Sequence, residues 1–181
     1  MNKMYLGRNS IMIREASVQD IEKILSIYND AIINTTAVYD YSPHTIDERM
    51  DWYQKKVEGN YPVLVYEKEG QVVGYATFGP FRDWDAYKYT VEHSVYIRNE
   101  SNGKGIGALL LKEIITIATE REYKMMVAGI DASNEVSIHL HEKLGFQHAG
   151  TIHNAAYKFN RWLDLAFYEL ELPGPLHLSG K

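Results

Sequence analysis

Glu92 stands where a carboxylate can do chemistry. It lies in the stretch 89–108, YTVEHSVYIRNESNGKGIGA, which reads as a strand, a polar turn and a helix start. With a strand period of two, Tyr89, Val91, His93, Val95 and Ile97 share one face, and Thr90, Glu92, Ser94 and Tyr96 share the other. Glu92 is thus on the polar face. The turn Asn102-Gly103-Lys104-Gly105-Ile106-Gly107 follows, and its alternate glycines let the backbone curl until several N–H groups point at one spot. At a helix N-terminus that geometry suits a phosphate. A carboxylate on a strand beside such a cradle points to an enzyme using a nucleotide-bearing cofactor. Two further constellations bear on its substrate. Arg82, Trp84 and Tyr87, in the loop leading into the Glu92 strand, offer a cation and two aromatics suited to gripping a small zwitterion. Asn134, Ser137 and His141 lie near one another on one helix face. Tyr39 and Tyr41, in the irregular segment 34–44, either face a ligand or cap the edge of the core.

The elements that must position these residues follow from periodicity. A short strand at 11–14 precedes a helix that Ser17 and Asp20 start, with Ile21, Ile24, Leu25, Tyr28, Ala31 and Ile32 at amphipathic spacing. Thr45 and Glu48 form a second capping box, and Met50, Tyr53 and Val57 make the buried stripe of the helix behind it. The segments 61–68 and 71–78 read as an antiparallel hairpin around Glu69-Gly70, broken at Gly79-Pro80. After the glycine turn, Ile106, Leu110, Ile114, Ile117 and Ala118 keep helical spacing. A buried strand at 124–130 leads to a helix with Val136, Leu140 and Leu144 on its apolar side and Gly145 beyond its end. Two closing strands, 146–157 and 162–172, complete the chain. The order β-α-α-β-β-β-α-β-α-β-β is a mixed α/β (α+β) arrangement. Residues 1–10 read as a flexible extension, 11–172 as one domain and 173–181 as a flexible tail.

Composition narrows the function. At 181 residues the chain suits a single full core. A formal charge of -5 leaves no basic excess for nucleic acid, so a small-molecule partner is expected. The absence of cysteine removes disulfides, thiolate nucleophiles and cysteine-based metal sites, and fits the cytoplasm. No apolar run approaches the roughly 20 residues of a membrane span, so no membrane partner is expected. His139 lies on a different side of its helix from His141, and His141-Glu142 lacks the second histidine of a zinc-protease motif, so no metal is expected.

Alone, the glycine turn is a weak signal. Gly103, Gly105 and Ala108 also fit the G-x-G-x-x-A of a dinucleotide site, with Asp131 after a later strand. Against that, the polar residues 98–102 separate strand from turn, and antiparallel strands lie upstream. A G-x-x-x-x-G-K-[ST] triphosphate loop is absent.

With these residues the chain resembles the GCN5-related N-acetyltransferases (GNAT), and within them the branch of phosphinothricin and methionine sulfone or sulfoximine acetyltransferases. The segment 102–107 is similar to the superfamily's Q/R-x-x-G-x-G/A turn, with Asn102 in place of Gln or Arg. TVEHSVY at 90–96, LHEKLGF at 140–146 and KFNRWLD at 158–164 resemble the branch's own blocks, and the resemblance runs from about residue 11 to 172. In the loop at 82–87 the chain departs from it, with Trp84 where an arginine is common.

The resemblance implies a central, mostly antiparallel sheet flanked by helices, and direct transfer of acetyl from acetyl-CoA to the α-amine of a small amino acid. It implies Glu92 as general base, the alternative being a structural carboxylate. It implies His141 as the group that protonates the departing CoA sulfur, the alternative being a hydrogen-bonded structural histidine. Acetyl-CoA is then expected on Val95, Tyr96 and Ile97, on Gly103, Lys104, Gly105, Ile106, Gly107 and Ala108, and on Asn134 and Lys143, with Lys104 equally suited to a bare surface position. Tyr39, Arg82, Trp84 and Tyr87 are the substrate candidates. Relatives are commonly homodimers, and the aromatic segment 157–168 suits either an interface or core packing. Two other functions remain open: acetylation of another amine, such as a protein N-terminus or polyamine, and a non-catalytic acetyl-CoA sensor.

Overall fold

In chain order the strands are β1 (Met4–Tyr5), β2 (Ile11–Glu15), β3 (Val63–Lys68), β4 (Gln71–Pro80), β5 (Thr90–Ile97), β6 (Met125–Asp131), β7 (Gln147–Lys158) and β8 (Arg161–Glu171). The helices are α1 (Ile21–Asn34), α2 (Ile46–Glu58), α3 (Ile106–Glu120) and α4 (Glu135–Lys143). These come from a computed structural model that describes residues 4–5 and 11–177; the expectations for the remaining terminal residues lie outside the described residues. The strands form one sheet in the order β1-β2-β3-β4-β5-β6-β8-β7. Each neighbouring pair is antiparallel except β5–β6. The expected mixed, mostly antiparallel sheet is therefore present, with one addition: Met4 and Tyr5 pair with Ile13 and Met12 as a short edge strand.

Alternation along the strands sends side chains into two layers. Leu64, Tyr66, Phe78, Val91 and Met126 pack beneath Leu110, Leu111 and Ile114 of α3. Val63, Val65 and Tyr75 pack on the other face beneath Ile21, Ile24 and Ile27 of α1. Both capping boxes form: Ser17 with Asp20 opens a single 3-10 turn that runs into α1, and Thr45 with Glu48 opens α2.

Three local expectations are corrected. Val57 and Val136 are exposed rather than buried. In α2 the inward face is shared with Arg49, whose guanidinium lies 3.7 Å from the Tyr28 ring centroid and 4.6 Å from that of Trp52. A buried cation on aromatic faces takes a place that periodicity assigns to an apolar side chain. Gly79-Pro80 does not break β4, because a proline at a strand's last residue removes only one donor. Gly79 pairs with Glu92 and Pro80 with Val91.

Lys56 locks α2 against that same strand end. Its Nζ donates to the Phe78 carbonyl at 2.9 Å and sits so close to Gly79 that an added Cβ would fall 2.6 Å from it. Burial pushes the Lys56 ammonium down to about 8 from 10.5. Between these values the unfolded chain binds the extra proton, so this group's contribution to stability is full above 10.5 and is lost as pH falls through 8. Urea unfolding of wild type and Lys56→Met should therefore diverge in pH dependence, wild type gaining stability relative to the variant between pH 8 and 10.5.

Candidate active site

β5 and β6 pair only where Thr90, Val91 and Glu92 meet Met125, Met126 and Val127. Beyond that point β5 stays with β4 as far as Ile97, while β6 stays with β8 as far as Asp131, so the two strands part. The fork opens a cleft of about 750 Å³. Its walls include Glu92, Val95, Tyr96 and Ile97 from β5, Gly129 and Asp131 from β6, and Asn134 and His141 around α4. Gly103 and Gly107 line one end, and the segment 35–37 and Tyr39 line another part of the wall.

Glu92 is half-buried at the fork. Burial raises its carboxyl above the ordinary range, and the positive charge of Arg82 partly offsets the rise. Gly129 makes room for it, since an added Cβ there would lie 3.3 Å from Glu92 Oε1 and 3.4 Å from Leu165 Cδ1.

The glycine turn has the backbone that its composition predicts. Gly103 and Gly105 take φ of +75° and +77°, a region that side chains disfavour, and the space around both is open. Gly105 is the N-cap of α3, with no side-chain cap and no acidic residue in the first turn. The first N–H groups of α3 thus lack a helical partner and face a region suited to an anion.

His141 is buried, and its two ring nitrogens are both engaged. Nδ1 lies 2.6 Å from the Ser137 carbonyl, which can only accept, so Nδ1 carries the proton. Nε2 lies 3.1 Å from His93 Nε2, and in the neutral ring it must accept, so His93 donates. That assignment leaves His93 Nδ1 as a bare acceptor, matching its lack of a hydrogen-bond partner among the described residues. Burial, and then the nearby His141, pushes His93 down to about 3; burial also lowers His141 against the pull of the Ser137 carbonyl. The rings stack at 5.1 Å between centroids, and Phe146 packs edge-on to both.

The other candidates divide. Val95, Tyr96, Ile97, Gly103, Gly107, Asn134 and Tyr39 join Glu92 and His141 along the cleft. Gly105 and Ala108 shape the turn and first helical residues without lining it, and Ile106 is in the core instead. Lys104 Nζ donates to the Glu100 carbonyl, and Lys143 is exposed at the end of α4. Arg82, Trp84 and Tyr87 line a second, smaller cavity of about 280 Å³ with Tyr61 and Tyr123. There Arg82 donates to the carbonyl of Phe81 and lies over its ring, and Trp84 is 71% exposed. Sequence reasoning missed His93, Gly129 and the segment 35–37. His93 on the apolar face of its strand was the one visible signal of a buried histidine.

Comparison with known proteins fits this geometry. Residues 13–167 match the family described as the acetyltransferase (GNAT) domain. The chain belongs to the GNAT family of N-acetyltransferases. It is 43% identical over 164 residues to the L-methionine sulfoximine/L-methionine sulfone acetyltransferase of Pseudomonas aeruginosa, covering 90% of this chain and 95% of that protein. The crystal structure of an N-acetyltransferase from Staphylococcus aureus Mu50 superposes with a TM-score of 0.88 at 56% identity, covering 89% of this chain and 98% of that one. A GNAT superfamily phosphinothricin acetyltransferase from Sinorhizobium meliloti, solved in complex with acetyl-CoA, superposes with a TM-score of 0.87 at 34% identity, over 90% of this chain and 88% of that one.

For an enzyme of this family, the packing around Gly129 gives a direct test. Gly129→Ala should fold normally yet displace the Glu92 carboxylate by a few tenths of an ångström, and steady-state acetyl transfer should fall on the order of tenfold.

Proposed function

We propose that this chain transfers acetyl from acetyl-CoA directly to the α-amine of a small amino acid or analogue, of the methionine sulfone, methionine sulfoximine or phosphinothricin type. The observation that carries the proposal is Glu92: a half-buried carboxylate with a raised pKa, at the fork of β5 and β6, in one cleft with the glycine turn. An α-amine has a pKa of roughly 8 and is mostly protonated at pH 7, so a base must take its proton before it can attack. Glu92 is the base on this reading, its raised pKa bringing it nearer to the working pH.

Acetyl-CoA supplies the activated acyl group, as a thioester, when bound. The backbone of Val95, Tyr96 and Ile97, on the edge of β5 that has left β6, is suited to the pantetheine arm. The amides from Gly103 to Ala108 are suited to the pyrophosphate, with Asn134 near the same channel. The departing thiolate, with a pKa near the roughly 8.5 of an ordinary thiol, can take its proton from water. His141 does not donate that proton on this reading, because Nδ1 is bonded to Ser137 and Nε2 accepts from His93. It holds α4 to β5 instead. Tyr39 is the aromatic candidate on the acceptor side. Arg82 acts through its charge on Glu92, and Trp84 and Tyr87 belong to the neighbouring cavity.

The decisive experiment is a panel of amines with detection of released thiol, including methionine sulfone, methionine sulfoximine, phosphinothricin, a polyamine and a peptide N-terminus. Transfer to the amino acids is expected; transfer only to the polyamine or peptide would overturn the substrate class. Glu92→Gln should lower kcat by about 10²–10⁴ and abolish the acidic limb of the pH–rate profile, along which wild-type rate climbs as Glu92 deprotonates.

The exposed Tyr41, Tyr157, Phe159 and Trp162 around the β7–β8 turn support a homodimer. Sedimentation velocity should then give a species of twice the chain mass.

A further inference from the structure

Lys158, the last residue of β7, is 5% exposed, yet among the described residues it makes no ion pair. Its Nζ instead reaches three backbone carbonyls, Ile32 at 2.6 Å, Thr35 at 2.9 Å and Val38 at 2.6 Å. Ile32 belongs to the last turn of α1 and Thr35 is its C-cap, where helical carbonyls lack partners and carry partial negative charge. An ammonium is the one side-chain group with three donors on a single atom, so the set is saturated.

The segment these carbonyls belong to is a wall of the cleft. Thr35, Thr36, Ala37 and Tyr39 all line it. Local bonds help to fold the first part of the wall, with Thr35 Oγ1 donating to the Ala31 carbonyl and accepting from the Ala37 amide. Beside the packing of Ile32 and Val38 against Tyr96 of β5, Lys158 supplies three hydrogen bonds that tie the segment to the end of β7, more than a hundred residues along the chain. Its partner across the hairpin, Arg161, directs Nη2 towards Asp131 Oδ2 at 3.5 Å and Ser133 Oγ at 3.3 Å, at and just beyond the end of β6. Between them Phe159 and Asn160 take φ of +51° and +60°, the two-residue turn that fixes both flanking residues tightly.

We infer that Lys158 is a positioning residue for the acceptor: by gathering the Ile32, Thr35 and Val38 carbonyls it sets the cleft wall at 35–39 against the site of transfer. The inference rests on the amino-acid acetyltransferase reading above. Lys158→Met keeps the length of the side chain and removes all three donors. Hydrogen exchange of the amides at 33–40 should quicken by about tenfold or more while that of α3 and β6 stays unchanged. The KM for the amino acid should rise by about tenfold while the KM for acetyl-CoA stays within about threefold. Unchanged exchange at 33–40 with an unchanged amino-acid KM would overturn the inference, as would faster exchange spread evenly over the sheet. Should Lys158→Met fail to fold, Lys158→Arg decides by the same readouts. A planar fork cannot send three N–H groups from one nitrogen to three separate carbonyls, so a wild-type profile in that variant overturns the assignment as well. If wild type transfers acetyl to no amino acid, the substrate class fails by itself, and the exchange measurement still decides the role of Lys158.

Discussion

The three-residue parallel contact of β5 with β6 is the constraint on which the rest of the cleft depends. Each of these strands has an antiparallel partner on its far side, β4 for one and β8 for the other, and each follows that partner. Once they diverge, the sheet gains an interior edge, and a backbone edge inside a fold must find hydrogen-bond partners. A chain-like ligand with its own amide groups meets that need. Glu92 is at the last paired position, so the general base proposed for it stands where the ligand channel begins.

Around this fork, charge is handled by enclosure. Glu92 is half-buried and kept from easy ionisation. Burial disfavours the charged form of both paired imidazoles, and the Lys158 ammonium is held by carbonyl dipoles, with no carboxylate in ion-pair contact among the described residues. Arg49, deeper in the α1–α2 layer, rests on aromatic faces and on His44 Nδ1 at 3.3 Å. For the imidazoles, Lys158 and Arg49 a polar group that is costly to bury is offset by oriented dipoles or rings, which also fix it in place, whereas Glu92 is offset only by the charge of Arg82.

Much of this was legible in the sequence because it rests on local rules. Alternation put Glu92 and Val91 on opposite faces of β5, glycines marked the left-handed turn, and two S/T-x-x-[DE] patterns marked helix starts. The illegible parts depend on partners far along the chain. A lysine whose acceptors are backbone carbonyls at and beyond the end of α1 leaves no charged counterpart to find, and the missing side chain at Gly129 is conspicuous only once Glu92 lies beside it. Val136 was misread because an apolar side chain at a cleft mouth and one in a core look alike in a short helix. The loop at 82–87 has no period, so its chemistry was visible while its direction was not.

The histidine pair carries a consequence for how such a site can change over time. A single carbonyl, that of Ser137, dictates the tautomer of His141, which in turn dictates that of His93 on another element. Losing His141 alone would strand a second nitrogen of His93 away from water, at a cost of about 1–3 kcal/mol. Losing His93 alone would do the same to His141. The two rings therefore drift as one character: a lineage leaves this arrangement by replacing both, or by first admitting water to the floor of the cleft.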